Sequence, residues 1–75
     1  MLYNFYMNTI HLRLKQERLA KGYTQKQVAI AIGVTYNAIS NYESGAREPS
    51  LDILCKICKF LDVTADYLLG LSDNY

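Results

Sequence analysis

Apolar residues recur every three or four positions along most of the chain, which is the spacing at which side chains share one face of an α-helix. In the first such stretch, residues 10–21, Ile10 and Leu14 lie on one face and Gly22 can end the helix. Four more stretches with this period follow, separated by short polar or glycine-containing links. The pattern predicts an all-α fold of five helices.

The second and third stretches are joined by a very short link. Thr24 is an N-cap residue and Gln27 can reach back to its backbone amide, so the second helix is expected to start at residue 25. Gly33 can adopt the left-handed conformation that ends this helix, and Thr35 can cap the next one. The positions predicted to face inward are Val28, Ala29, Ile32, Ile39 and Tyr42. Two short helices with a tight turn between them have the geometry of a helix-turn-helix.

The last two helices are each preceded by a capping residue. Ser50 is expected to cap the fourth helix and Thr64 the short fifth helix, which Gly70 ends. Leu68 and Leu69 are expected to close the core from the fifth helix. The buried stripe predicted for the fourth helix consists of Leu51, Leu54, Cys55, Cys58 and Leu61.

Several short motifs match one family, in order and at its spacing. They are Arg18, residues 21–25, residues 41–45, residues 47–51 and residues 66–70, in addition to the helix pair of residues 24–43. Together they resemble the phage-repressor/Cro type of helix-turn-helix, the XRE family, over about residues 10–71. The resemblance implies a compact, lambda-repressor-like domain whose third helix enters the major groove of double-stranded DNA, usually as a dimer on a palindromic operator. Residues 1–9 would then be an apolar arm, residues 10–71 the DNA-binding domain and residues 72–75 a tail.

The outward face of the third helix carries the candidate base-reading residues, Tyr36, Asn37, Ser40 and Asn41. Asparagine can form paired hydrogen bonds to adenine, whereas arginine and lysine are the usual partners of guanine and are missing from this face. Ala38 and the ring of Tyr36 can pack on thymine methyl groups. An operator biased toward A·T pairs is therefore expected. For Ser40 and Asn41, a phosphate contact and a plain surface position remain equally open.

Three residues are candidates for contacts to DNA phosphates. Gln25 and Thr35 stand at the positive ends of the second and third helices, and Arg47 lies in the loop after the third. The alternative for Gln25 is an ordinary surface glutamine. Ala46 occupies a place where the family often has a basic residue, so one backbone contact is expected to be missing. Weak and salt-sensitive affinity is the predicted consequence.

Arg18 and Glu43 resemble the ion pair that links the first helix to the end of the third in this family. Such a pair would be structural, because removing one partner leaves a partly buried charge without compensation. The alternative is two unrelated surface charges.

Composition fits this fold class. The chain has 75 residues, a length that allows one small domain and leaves little room for an enzyme core. No apolar run approaches the roughly 18 residues of a membrane span. The net charge is only +1, but six basic and two acidic side chains fall in residues 1–47, against two basic and five acidic ones in residues 48–75. The basic half contains the helix-turn-helix, as expected for a protein that turns one side toward phosphate. Without a targeting signal, the cytoplasm is the expected location.

Two cysteines three residues apart raise the question of a metal or redox site. Cys55 and Cys58 are predicted to lie mid-helix on the core stripe, whereas redox pairs place the first cysteine at a helix N-terminus. A structural zinc site needs four ligands, and the one histidine, His11, is expected on the surface of the first helix. No metal site, cofactor or catalytic group is predicted, so the chain is not expected to be an enzyme.

An apolar arm precedes the first helix. Residues 2–7 could cover Leu12 and Leu19, which form a second apolar line on that helix. Two alternatives stay open: dimerisation through the arm, and a physiological start at Met7 that would remove it.

On the fourth helix, Ile53 and Phe60 lie seven residues apart and off the core stripe. They predict an exposed apolar patch, and with it a homodimer formed through the fourth and fifth helices.

These features predict a sequence-specific transcriptional regulator, and more specifically a repressor, because operator occupancy alone can block polymerase. The competing hypothesis is a protein-interaction module of the same fold, such as an antitoxin that covers a toxin or an adaptor that binds a regulator. Exposed aromatic residues and the low net charge favour that alternative, whereas the amide-rich face of the third helix favours DNA.

Overall fold

The computed structural model describes residues 8–74, which form five helices and, within that range, no β-strand. The helices are α1 (Ile10–Ala20), α2 (Gln25–Ile32), α3 (Tyr36–Ser44), α4 (Leu51–Leu61) and α5 (Ala65–Leu69). Only α1 departs from expectation, since it ends one residue earlier than predicted. None of the five is long and apolar enough to span a membrane. The prediction of an all-α, five-helix fold is confirmed.

Four of the five helices begin at a hydroxyl cap. The Thr24 hydroxyl accepts from the Gln27 amide at 3.0 Å, and the Gln27 side-chain oxygen accepts from the Thr24 amide at 2.8 Å, so the predicted capping box is complete. Three further hydroxyls cap α3, α4 and α5 in the same way, those of Thr35, Ser50 and Thr64. α1 differs because the Asn8 side chain, rather than Thr9, accepts from the Ile10 amide at 3.0 Å. Local side-chain bonds therefore set where the helices start.

The turn between α2 and α3 depends on Gly33. Its φ of 76° lies in the left-handed region, which a residue without a Cβ enters at little cost. The amides of Gly33 and Val34 both donate to the Ala29 carbonyl, at 2.9 and 3.0 Å, and so satisfy the end of α2. The chain can then turn at once into the Thr35 cap of α3, as predicted.

The core is built by one apolar face from each helix. α3 packs against both α1 and α2, while α4 packs against α2 and α5. The largest fully buried side chains are Leu14, Val28, Ile39, Ile57, Leu61 and Leu68. Every helix contributes at least one of them, so displacement of any one helix would expose the centre of the domain.

The face of α4 that is buried differs from the predicted stripe. Leu51 is 80% exposed, Cys55 is exposed and Cys58 is half-buried, so the prediction was wrong for Leu51 and Cys55. The observed core face consists of Leu54, Ile57 and Leu61. The charged residues Asp52, Lys56 and Lys59 share the opposite side of α4, so the helical period itself points to the observed face, and the predicted stripe was displaced from it toward Cys55.

Ile53 and Phe60 do not form the exposed patch that the sequence predicted. Both are half-buried and pack against the core cluster. The ring of Phe60 contacts the ring of Tyr23, with centroids 4.8 Å apart and a tilt of 38°. The docking of α4 on α2 brings Tyr23 of the α1–α2 link against Phe60, an arrangement that sequence spacing along α4 cannot reveal.

The segment after α5 is held to α1 by Arg13. The Arg13 guanidinium donates to the carbonyls of Tyr67 and Ser72, both at 2.7 Å, and to the Asp73 carboxylate at 2.8 Å. It also lies 4.4 Å from the centroid of the Tyr67 ring. The Thr9 hydroxyl donates to the Leu68 carbonyl at 2.9 Å. The two ends of the described chain are thus joined, and residues 72–73 pack as part of the domain.

The predicted arm, residues 2–7, lies outside the described residues. Leu12 and Leu19, which it was expected to cover, are exposed on α1.

Candidate nucleic-acid interface

The outer face of α3 presents all four predicted base-reading residues. Tyr36 is 55% exposed and Asn37 is exposed, while Ser40 and Asn41 are half-buried one turn further on. None of these four side chains hydrogen-bonds to any other residue in the range 8–74. Their polar atoms are therefore free for an external partner.

The opposite face of α3 fixes how that helix sits. Ile39 is fully buried and Tyr42 nearly so, as predicted. The Thr35 hydroxyl accepts from the Ala38 amide at 3.1 Å and so holds the first turn in place. Thr35 is a phosphate candidate too, and its exposed hydroxyl keeps its own proton for donation to an anion.

A buried ion pair ties α3 to α1. The Arg18 guanidinium contacts both carboxylate oxygens of Glu43, at 2.6 and 3.0 Å, and its remaining nitrogen donates to the Tyr23 carbonyl at 2.8 Å. Both side chains are at least nine-tenths buried. The structure therefore contains the pair that the family resemblance implied, in the two-pronged geometry that arginine forms with carboxylates.

Gln25 belongs to the same network, which the sequence did not suggest. Its side-chain amide donates to Glu43 Oε1 at 3.0 Å and is half-buried there. One N–H and the carbonyl oxygen of Gln25 remain for a ligand at the start of α2. The contact fixes the side chain of this phosphate candidate, whereas an ordinary surface glutamine would sample many rotamers.

Arg47 lies exposed in the loop after α3, as predicted. The loop folds back on α3, because the Arg47 amide donates to the Asn41 carbonyl at 3.2 Å. Beside it is a cleft of about 300 Å³, which Asn8 and Glu48 close with a 2.7 Å hydrogen bond. His11 lines this cleft and is half-buried against Gly45, so it is more than the plain surface residue that the sequence predicted.

Ion pairs within the domain neutralise part of the positive charge of residues 1–47. Three of its six cations are engaged inside the domain: Arg13 with Asp73, Arg18 with Glu43 and Lys21 with Glu17. Lys15, Lys26 and Arg47 form no ion pair among residues 8–74.

Lys26 is the candidate that the sequence analysis missed. It follows Gln25 in the first turn of α2 and shares a shallow groove with Tyr36 of α3. Lys26 lies near the start of α3 and Arg47 in the loop after it, and neither charge is paired with a carboxylate within residues 8–74.

The cysteines lie apart from this face. Both are free thiols, and burial raises the pKa of the Cys58 thiol above its ordinary value, with nearby Cys55 adding to the shift. Within the described range, no three His, Cys, Asp or Glu side chains are grouped so as to hold a metal ion.

Comparison with known proteins supports one family. A helix-turn-helix family model matches residues 14–68. The chain is 45% identical over 58 residues to the HTH-type transcriptional regulator ImmR of Bacillus subtilis (strain 168), covering 77% of this chain and 46% of that protein. Its sequence thus spans about half the length of the curated relatives it matches.

Two solved structures share the architecture closely. The P22 c2 repressor, solved in complex with a synthetic operator, superposes with a TM-score of 0.81 at 27% identity, covering 88% of this chain and all of that one. The N-terminal DNA-binding domain of SinR from Bacillus subtilis gives a TM-score of 0.76 at 35% identity, covering 81% of this chain and 90% of that domain. With the match over residues 14–68, these likenesses show that the chain belongs to the helix-turn-helix family, in the phage-repressor type that its motifs resemble.

Proposed function

We propose that the chain is a sequence-specific regulator of transcription that reads double-stranded DNA with α3. The observation that carries the proposal is the outer face of α3, where four side chains are free on a helix whose other face is locked into the core. The P22 c2 repressor, which has this fold, was solved with a synthetic operator. A helix presented in this way fits the width of the major groove.

Sequence is read by the start of α3. Asn37 donates to and accepts from the edge of one adenine, and the ring of Tyr36 packs on a thymine methyl group. Ala38, half-buried beside them, leaves room for a second methyl group. With no arginine or lysine on this face, the half-site is biased toward A·T pairs.

Position along the DNA is set by phosphate contacts. Three groups bind phosphates of one DNA strand, because the positive ends of helices favour anions. They are the first-turn amides of α2, the Gln25 side chain held by Glu43, and the Thr35 hydroxyl. Lys26 and Arg47 add positive charge. With so few free cations and Ala46 in the loop, affinity is modest, and the slope of its fall with salt is set by the small number of phosphate contacts.

Selecting bound sequences from a random pool of double-stranded DNA at low salt tests the base-reading assignment. Asn37→Ala should relax the preference at one A·T position by roughly 1–3 kcal/mol, because only the paired hydrogen bonds to adenine are lost. Lys26→Ala should weaken binding to all sequences alike and reduce the salt slope by about one unit.

Lys59→Ala is the matched control for Lys26, because Lys59 is an exposed lysine on α4, away from the proposed interface. It should leave the salt slope unchanged. An Asn37→Ala profile identical to that of the unaltered chain would exclude Asn37 from base reading, and the absence of any enrichment would remove the DNA proposal itself.

We further propose that the regulator is a homodimer on a palindromic operator and acts as a repressor in the cytoplasm, since an occupied operator blocks polymerase. Leu51, at the start of α4, and Leu71, two residues after α5, are apolar and 80% and 75% exposed. Their burial between two copies would contribute to the association free energy.

Sedimentation equilibrium over a range of concentrations tests the dimer. Leu51→Glu should shift the equilibrium toward monomer, because a charge would be buried between the copies. Leu19→Glu, which changes the same residue type at a position 57% exposed on α1, is the control and should leave the equilibrium unchanged. A monomer mass at every concentration would contradict the dimer and leave the DNA-reading assignment standing.

One observation favours a second function, a protein-interaction module such as an antitoxin or an adaptor. Ile30 is 73% exposed on α2, and Leu12 and Leu19 are exposed on α1. Large exposed apolar side chains are typical of surfaces that bind another protein. If this function holds, a co-expressed partner purifies with the chain, and Ile30→Glu releases it while DNA selection gives no enriched sequence.

A further inference from the structure

Cys55 and Cys58 lie one helical turn apart on α4, outside the surface proposed to meet DNA. Cys55 is exposed, Cys58 is half-buried, and both are free thiols. The core face of α4 is formed by Leu54, Ile57 and Leu61, so neither cysteine is needed to fill the centre of the domain. Cys58 packs against the core cluster, whereas Cys55 faces solvent, so the pair places one half-buried and one exposed thiol on one side of the helix.

The helix fixes the separation of the two thiols. Side chains three residues apart on a helix have their Cβ atoms about 5–6 Å apart. A disulfide needs Cβ atoms about 3.5–4.5 Å apart, so α4 would have to distort before the two sulfurs could bond. A metal ion between two thiolates fits better: two metal–sulfur bonds of about 2.3 Å, the length seen with zinc, place sulfurs ~4.6 Å apart in a linear arrangement.

The surroundings restrict which ion could bind. Tetrahedral zinc needs four ligands, and residues 8–74 bring no third His, Cys, Asp or Glu to this place. Soft thiolate ligands select Cu(I) among the common metal ions. Two thiolates and one monovalent cation carry a net charge of −1. Lys59, exposed and four residues after Cys55 on the same side of α4, is placed to offset that charge.

We propose that Cys55 and Cys58 form a two-coordinate site for a soft monovalent cation, with Cu(I) as its natural occupant. On binding, each thiol releases one proton to solvent and each sulfur donates an electron pair to the metal, so no electron is transferred and no oxidant is needed. α4 keeps its helical backbone in both the free and the loaded chain.

Anaerobic competition between the reduced, full-length chain and the Cu(I) chelator bicinchoninate tests the site. The unaltered chain should take one Cu(I) per monomer. Cys58→Ser should weaken the affinity by about 100-fold or more, because the second thiolate acts at a high effective concentration once the first is bound.

The matched control keeps two thiols in the chain but moves one to another side of α4. Cys55→Ser combined with Lys56→Cys gives cysteines at positions 56 and 58, and residues two apart on a helix do not face each other. This variant should bind Cu(I) no better than Cys58→Ser, while its circular dichroism remains that of the folded chain.

Two results would overturn the proposal. One is tight binding by the Cys55→Ser, Lys56→Cys variant, which would mean that any two thiols suffice. The other is one Cu(I) per two chains with a dimeric mass, which would place the metal between copies. Neither result bears on the assignment of α3 to DNA, because no DNA is present in the assay.

Discussion

Glu17, Arg18 and Glu43 are charged yet buried, and each has a partner. Glu17 receives hydrogen bonds from the Tyr67 hydroxyl at 3.4 Å and from the Lys21 ammonium at 3.2 Å. Among residues 8–74, every buried side-chain nitrogen or oxygen atom is hydrogen-bonded. Because a buried charge that loses its partner keeps its desolvation cost, these residues are the positions where one substitution should weaken the domain most.

Glu43→Ala tests this at the ion pair that supports α3. The substitution removes both carboxylate contacts of Arg18 and the hydrogen bond that Gln25 donates to Glu43. The free energy of unfolding should therefore fall by about 3–5 kcal/mol, which is a large part of the stability of a small domain. Urea unfolding followed by circular dichroism measures it.

Glu48→Ala is the matched control for Glu43, since Glu48 is exposed and accepts only from Asn8. It should change stability by less than about 0.5 kcal/mol. The pair Arg18→Met and Glu43→Leu should recover much of the loss, because it leaves no charge buried. Equal stability of Glu43→Ala and the unaltered chain would show that the pair contributes nothing.

Short-range contacts decide where each helix ends. α2, α3 and α5 end at glycines with positive φ, whereas α4 ends at Asp62, the one residue other than glycine with positive φ within 8–74. A side chain at φ 57° brings its Cβ close to the backbone, although aspartate tolerates this conformation better than most residues. α4 therefore carries a small strain at its end that the other helices avoid.

Asp62→Gly should raise the free energy of unfolding by about 0.5 kcal/mol, because relief of the left-handed strain exceeds the added entropy of glycine in the unfolded chain. Asp52→Gly is the matched control, since Asp52 lies in the first turn of the same helix and favours the positive helix end. That change should instead lower stability by about 0.5–1 kcal/mol. If both variants lose stability in urea unfolding, the strain at Asp62 is negligible.

At the scale of the whole molecule, Arg13 joins the beginning of the domain to its end. Its guanidinium binds two backbone carbonyls and lies over the Tyr67 ring, while Asp73 adds a contact from a side chain that is 94% exposed. The carbonyl bonds are half-buried and the carboxylate contact is open to solvent. Stability should therefore depend on the first and hardly at all on the second.

Arg13→Ala should lower the free energy of unfolding by about 2–3 kcal/mol, because charged hydrogen bonds to partly buried carbonyls are lost. Asp73→Ala should change it by less than about 0.5 kcal/mol. Hydrogen exchange should place the loss in α5, whose Tyr67 carbonyl loses the Arg13 contact and keeps the bond from the Gly70 amide. Similar losses for the two variants would mean that the Asp73 ion pair, rather than the carbonyl bonds, holds the chain ends together.

Much of the proposed interface was also predictable. The free residues of α3 could be assigned because Ile39 and Tyr42 mark the inward face of a short helix with a clear period. Gln25 and Lys26 could not be assigned fully, since their environment depends on Glu43 and Tyr36, which are distant along the chain. The resemblance to a known family supplied the Arg18–Glu43 pair, which periodicity alone would have left as two surface charges.

Signals within a few residues of each other along the chain fix the number of helices, their starts and most of their ends. Each capping hydroxyl accepts a hydrogen bond from the amide three residues further on; these residues are Thr24, Thr35, Ser50 and Thr64. Gly33 ends α2 because glycine can adopt the left-handed conformation without help from distant residues. These signals therefore act within a few residues. Tertiary contacts decided that Phe60 packs on Tyr23 and that Arg13 joins α1 to the segment after α5. These outcomes depend on contacts between residues far apart in sequence. Periodicity predicts which side of a helix is apolar, but it does not predict which distant residues will pack against that side.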